Sequence, residues 1–291
     1  MAKRVAQSNQ YDYTVETVPS WHQLPDGSFR QDKHFVNCRT DTWEVLGKCS
    51  ERYGLMQNAG LFDRAEQAFA KRSLGEFKRN VVVTGNGARV YGVYEFKNRT
   101  ATTKRGDVVG MRLTVQNSFD GILLTAFQAG YLRLACLNGM CSLINAVAMS
   151  AKHYSSINLD IIIGALDEAV SGWDESIGLF DRLTEIQITQ AQGANILGNL
   201  TRQGLLSARL GEGVGSVWAN PRQKEDADRN LYNLFNALTN HLTHDVAATR
   251  FELANRVNHR VLAAFNRASL DDSKFAELTA DLPIEIEAVT V

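Results

Sequence analysis

The clearest chemistry in this sequence lies where cations and aromatic rings alternate. In ARVYGVYEFKN (88–98), strand alternation puts Arg89, Tyr91, Val93, Glu95 and Lys97 on one face and Val90, Gly92, Tyr94 and Phe96 on the other. Arg99, Lys104 and Arg105 follow in the polar segment NRTATTKRGD, and Arg112 lies on the next expected strand. Binding a single nucleic-acid strand without sequence preference requires cations along the phosphates and flat rings under the bases. Lys71, Arg72, Lys78, Arg79, Arg89, Lys97, Arg99, Lys104, Arg105 and Arg112 are therefore the candidate phosphate contacts. Tyr91 is the candidate stacking surface, with Tyr94 or Phe96 as further rings. The same pattern also fits a Tyr91 packed in a core, with the loop charges keeping a sheet edge soluble.

Other chemistries find little support. GNGARVYG (85–92) does not open a helix after a strand and lacks the Lys-Ser/Thr of a phosphate loop, so it reads as a hairpin turn. His241 and His244 are three apart on an expected helix, a spacing that could share a metal. Asp245 is not expected to project with them and there is no HExxH pattern, which favours a helix-end role for His244. Asp167, Asp174 and Asp181 recur every seven residues, the mark of a solvated face. There is no GxSxG, no nucleotide fingerprint and no cysteine spacing that suits a zinc knuckle. No catalytic group, metal or cofactor is expected. The alternative is a nucleic-acid-processing enzyme whose metal or acid/base pair is scattered along the chain.

The elements that would position these residues fall into two halves. The first thirty residues are polar and turn-rich and read as an arm with short extended pieces. FVNCRTDTWEVLGKCS (35–50) suits two strands about a turn at Arg39–Thr42. Leu61, Phe62, Ala65, Ala68 and Phe69 recur at helical spacing and predict an amphipathic helix over 59–77. Strands about Gly-Asn-Gly follow, then VVGMRLTVQNS, GILLTAFQAG and a last extended piece in YLRLACLNG. Beyond about residue 140 the helical period takes over, with helices expected over 141–154, 157–172, 173–203, 225–243 and 245–267. GEGVGSVWANP (211–221) reads as a loop. Leu231, Leu234, Phe235, Leu238 and Leu242 make an apolar stripe. Strands first and helices afterwards predict an α+β fold, an antiparallel sheet packed by a helical C-terminal half, and not an OB fold. Residues 1–267 are expected to form one domain, β-rich over 35–140 and helical over 141–267. The last segment, 268–291, holds six acids against one lysine and is expected to be a mobile acidic tail.

The net charge of −1 conceals an asymmetry. Residues 1–115 carry 18 Lys/Arg against 12 Asp/Glu, and 71–112 carry 10 against 3, the kind of local field that attracts polyanions. No secretory leader and no stretch near the ~20 apolar residues of a membrane span stand out. Four cysteines in a chain this long do not make a disulfide scaffold. These features predict a soluble protein of a cytoplasm.

Three separated strings carry a resemblance. RTDTWEVLGKCSERYGLMQNAGLFD (39–63), LTVQNSFDGILLTAFQAGYLRLACLNGM (113–140) and NLYNLFNALTNHLTH (230–244) resemble, in order, landmarks of a phage/plasmid-like family of unknown function. Size, basic sheet and acidic C-terminus are also similar to the Drc-type proteins of podoviruses, single-stranded-DNA-binding cofactors of a phage RNA polymerase. That resemblance implies single-stranded DNA as partner and a role in transcription or replication. It further implies a phage RNA polymerase or replication protein as second partner, a homo-oligomer along DNA, and the host bacterial cytoplasm as location. The landmark residues Arg39, Asp41, Asn117, Asp120, Gly121, Arg133, Cys136 and Asn138 are expected to serve structure: an Arg39–Asp41 ion pair, a hairpin turn at 117–121, and a stitch from sheet to helix.

Overall fold

A computed structural model describes residues 11–123, 125–134, 138–141 and 159–281. The architecture is α+β, as expected, with antiparallel sheets in the N-terminal half and helices after them. Strands β1 (Val15–Gln23), β2 (Phe29–Arg39) and β3 (Val45–Cys49) form a three-stranded sheet in the order β1-β2-β3. The expected polar arm is therefore, from Val15 on, a hairpin closed at Leu24–Ser28, where Gly27 has φ +84°, with a register shift between Pro19 and Trp21.

Helix α1 (Asn58–Lys71) buries Leu61, Phe62, Ala65, Ala68 and Phe69, the stripe read from the sequence. It ends six residues before the expected Phe77, because Ser73 and Gly75 take positive φ and turn the chain. Phe77 instead opens β4 (Phe77–Thr84), which pairs with β5 (Arg89–Thr102) through the Gly85-Asn86-Gly87 turn. All three turn residues have positive φ, the conformation such sequences supply. Strands β6 (Val108–Ser118), β7 (Ala126–Arg133) and β8 (Asn138–Cys141) complete a five-stranded sheet in chain order. Half of the loop expected at 98–107 is strand, so only Thr103–Asp107 remains as the turn.

The helices differ from expectation in their breaks. Helix α2 (Leu159–Glu185) runs through the expected boundary at 172/173. The chain then breaks at 186–189, and Thr189 caps α3 (Gln190–Arg202) in a capping box with Gln192. The segment read as a loop is helix α4 (Ala208–Ala219). Its glycines permit close helix packing: a Cβ at Gly213 would stand 2.3 Å from His241 Nε2. Helices α5 (Leu231–His241), α6 (Ala247–Ala268) and α7 (Asp272–Thr279) follow, with a π-helical turn at Leu242–Val246 between α5 and α6. Every residue of α5 except His241 is buried. The mobile tail expected from 268 is corrected over α7. Leu278 is buried, and Asn199 Nδ2 donates to the carbonyls of Leu278 (3.0 Å) and Ala280 (2.8 Å). Residues 282–291, and the expected helix 141–154 from residue 142 on, lie outside the described residues.

Described residues within Met1–Thr100, Gly110–Gly130 and Ile144–Trp173 form one compact unit, and those within Ala101–Val109, Tyr131–Leu143 and Asp174–Val291 a second. The core of the first is an edge-on cluster of Phe62, Phe69, Phe77, Tyr94 and Phe96, with neighbouring centroids 4.9–6.5 Å apart. The core of the second gathers Tyr131, Phe180, Tyr232, Phe235 and Phe265. No helix among the described residues is long and apolar enough to cross a membrane.

Candidate nucleic-acid interface

Tyr91 is 3% exposed, which corrects its expected role as a stacking surface. The alternation along β5 was read rightly, but both faces of the strand are covered: Val90, Tyr91, Gly92, Val93 and Tyr94 are all buried. Tyr94 and Phe96 lie in the aromatic cluster under α1 and offer no ring either. Burial pushes the Tyr94 hydroxyl well above the usual phenol range, and that hydroxyl donates to Glu66 Oε1 at 3.2 Å.

Half of the predicted cations are partly covered or engaged by acids from outside the 71–112 stretch, the Lys104–Glu185 pair being as solvent-exposed as Lys97–Glu76. Arg79 donates to Glu66 at 2.5 Å and to the Tyr11 hydroxyl at 2.7 Å, with its guanidinium over the Tyr11 and Phe62 rings. Arg89 holds Asp120 at 2.7 Å, with both side chains mostly covered. Arg112 is half-buried. In the 103–107 turn, the Lys104 amide donates to Asp181 at 2.7 Å, Lys104 Nζ reaches Glu185 at 2.9 Å, and Arg105 pairs with Asp228. The Glu185 carboxylate holds the Lys104 ammonium above its ordinary pKa, and the lysine in turn lowers Glu185. These acids lie 13 to 123 positions away in sequence, so charge counting over 71–112 could not see them.

The other five lie on chain segments that meet in the first unit, with Lys78 and Lys97 on the sheet face opposite the aromatic cluster. Lys71 ends α1 and Arg72 is its C-cap, Lys78 follows Phe77 in β4, and Lys97 and Arg99 leave the aromatic cluster along β5. Arg99 Nη2 donates to the Ser73 carbonyl at 3.1 Å, and Lys97 Nζ pairs with Glu76 at 2.8 Å, which draws these segments to one corner. Lys78 stands opposite Glu95 in the β4–β5 register. Arg72 grips Asp167 of α2 through Nε at 2.6 Å. Lys71 and Lys78 are exposed and pair with no acid among the described residues. The Lys97–Glu76 and Arg72–Asp167 pairs are solvent-exposed. Such pairs are screened and weak, so a phosphate can replace the carboxylate.

Sequence reasoning passed over the rings that are exposed. Trp21 (57%), Phe29 (66%) and Trp43 (60%) lie in or beside the three-stranded sheet. The signal was present: in SWHQLPDGSF an Asp-Gly turn separates alternating residues, the pattern of a hairpin rather than an arm.

The family landmarks stitch the fold. Arg39 grips Asp41 through two hydrogen bonds of 2.9 and 2.7 Å, with its guanidinium 4.2 Å from the Tyr13 ring centre. Tyr53 donates to the Ser118 carbonyl at 2.8 Å, and Asn117 Nδ2 to the Met56 carbonyl and the Asn58 side chain. Arg133, 1% exposed, is held between Asp107 (2.7 Å) and Asp226 (2.6 Å). It thus joins β7 to the 103–107 turn and to the 3-10 helical turn Lys224–Asp226. Asn138 lies in β8, and Cys136 lies outside the described residues. One expectation is overturned at the helix end: the π-helical turn brings Asp245 Oδ2 within 2.8 Å of His241 Nδ1, and Arg222 joins the same carboxylate at 2.7 Å. Among the described residues no three His, Cys, Asp or Glu side chains gather as a metal site. A polar cleft at α3, α6 and α7, lined by Gln203, Arg267, Lys274 and Glu277, has its lysine already paired with its glutamate.

The model of a domain of unknown function, DUF932, matches residues 45–266. The chain belongs to this family. Its landmark residues, in this member, hold strands, turns and helices in place. No curated protein and no solved structure matches the chain.

Proposed function

We propose that this DUF932 member is a phage protein that binds single-stranded DNA without catalysis, as a cofactor recruiting a phage RNA polymerase, or a replication protein, to single-stranded template. The observation that carries the reading is the corner of Lys71, Arg72, Lys78, Lys97 and Arg99, where two lysines stand free of acids and two pairs are open to exchange with phosphate. With Tyr91 buried, this corner acts through charge. The similarity to Drc-type proteins supports the partner class, and it brings with it the expectation of a homo-oligomer in a bacterial cytoplasm.

The test is charge reversal at the two free lysines. A Lys71→Glu/Lys78→Glu protein that keeps its thermal melt is expected to lose single-strand affinity in a gel-shift series, with a shallower salt dependence by about 1.4, or ~0.7 per lost phosphate contact. Unchanged affinity and slope would refute this corner as the phosphate contact.

A further inference from the structure

The β1–β2 hairpin changes character along its length. Toward β3 it is anchored, with Val15, Val36, Asn37 and Cys38 buried. From Ser20 to His34 no residue is buried, so this part is a two-stranded ribbon open on both sides. The register pairs Trp21 with Gln31, His22 with Arg30 and Gln23 with Phe29. One side of the ribbon's outer part therefore carries Trp21, Gln23, Phe29 and Gln31, and the other Ser20, His22, Arg30 and Asp32; the register shifts between Pro19 and Trp21, opposite residues 32–34.

The two sides differ in chemistry. Asp32 is satisfied on its own side by the Ser20 hydroxyl and by His22 Nδ1, both at 2.7 Å. Asp26, at the tip, is turned back on Ser28 by hydrogen bonds of 2.9 and 2.6 Å to its amide and hydroxyl. The ring side keeps two large exposed aromatics and two amides, and no carboxylate. Trp21 stands opposite Gln31 and Phe29 opposite Gln23, so the two rings are diagonal neighbours in the hairpin, a separation of roughly 7–8 Å, about two base-stacking distances of ~3.4 Å. Exposed rings are costly to leave in water and mark interaction surfaces. The absence of aliphatic residues and of carboxylates among them fits nucleobases better than a protein core.

We infer that the Trp21–Phe29 side of this ribbon is a base-stacking platform for single-stranded nucleic acid, with Gln31 beside the rings available to base edges. This rests on the proposed single-strand binding and supplies the stacking that Tyr91 cannot.

The experiment uses the full chain and a fluorescein-labelled oligothymidylate. The Trp21→Ala/Phe29→Ala protein is compared with wild type by anisotropy, thermal melt and light-scattering mass, and a bromodeoxyuridine oligonucleotide is photo-crosslinked to wild type. The inference expects affinity to fall about tenfold or more, with melt and mass unchanged and crosslinks at Trp21 or Phe29. Wild-type binding that the double substitution leaves unaltered, or crosslinks only elsewhere, overturns the platform and leaves single-strand binding standing. A changed mass with unaltered affinity also overturns it, and identifies the ribbon as a self-association arm. No binding by wild type at low salt overturns the binding reading itself, and the platform with it.

Discussion

Lys104 Nζ stands 2.9 Å from Glu185 Oε1, and the Lys104 amide donates to Asp181 of the same helix at 2.7 Å. With Arg105 on Asp228, the turn that looked in sequence like an exposed basic loop is tied down by acids. Reversing Lys104 and Arg105 to Glu is therefore expected to change single-strand affinity less than reversing Lys71 and Lys78. Side-by-side salt titrations check this. A larger loss from the 104/105 pair would return the phosphate contact to that turn.

Tyr91 makes a second distinction, between a ring that stacks on bases and a ring that fills a core. At 3% exposure its truncation to Ala removes buried volume, and the expected cost is about 3–5 kcal/mol of stability, as for other large buried side chains. Under conditions where the variant is folded, its DNA affinity should match wild type. Chemical denaturation and anisotropy on one preparation separate the two effects.

Asp120 links the 85–87 turn to acid stability. Burial works to raise its pKa, but hydrogen bonds from Ser118 and the Ile122 amide, with Arg89 beside them, outweigh burial and hold it below the usual carboxylate range. A carboxylate depressed in the folded state stabilises above its unfolded pKa of about 3.9 and loses that contribution as pH falls through the folded value. Asp120→Asn should therefore melt lower than wild type near neutrality. The gap should narrow on acidification below about pH 4, which a pH series of thermal melts reads directly.

Glycines within the helices divide by environment. A Cβ at Gly213 meets His241, and one at Gly193 would stand 2.3 Å from Trp218 Nε1, whereas one at Gly164 meets nothing within 4 Å. Alanine at 213 or 193 should destabilise by about 1–3 kcal/mol through overpacking. Alanine at Gly164, inside α2, should stabilise by roughly 0.5–1 kcal/mol. Denaturant midpoints of the three variants decide it.

Elements whose apolar residues recur locally were legible. The Leu61–Phe69 stripe became α1, the Leu231–Leu242 stripe became the buried helix α5, and Gly-Asn-Gly became the hairpin turn. What escaped reading depends on distant packing. Helix α4 looked like a loop because its glycines, poor helix formers alone, are selected by contact with Thr201, Leu197 and His241. Helix α7 looked like a charged tail because its tie, Asn199, lies some eighty residues upstream. For the candidate site, the sequence located the cations but not their partners. It located rings on β5 but not that both faces of that strand are covered. The exposed rings lay instead in a hairpin whose turn was visible and whose strands were taken for an arm.

The most direct test of single-strand binding is the anisotropy of a labelled single-stranded oligonucleotide titrated with wild-type protein between about 50 and 200 mM salt, beside its duplex. The account predicts preference for the single strand and an affinity that falls steeply and log-linearly as salt rises. Absence of binding at the lowest salt, or equal affinity for the duplex, would contradict it.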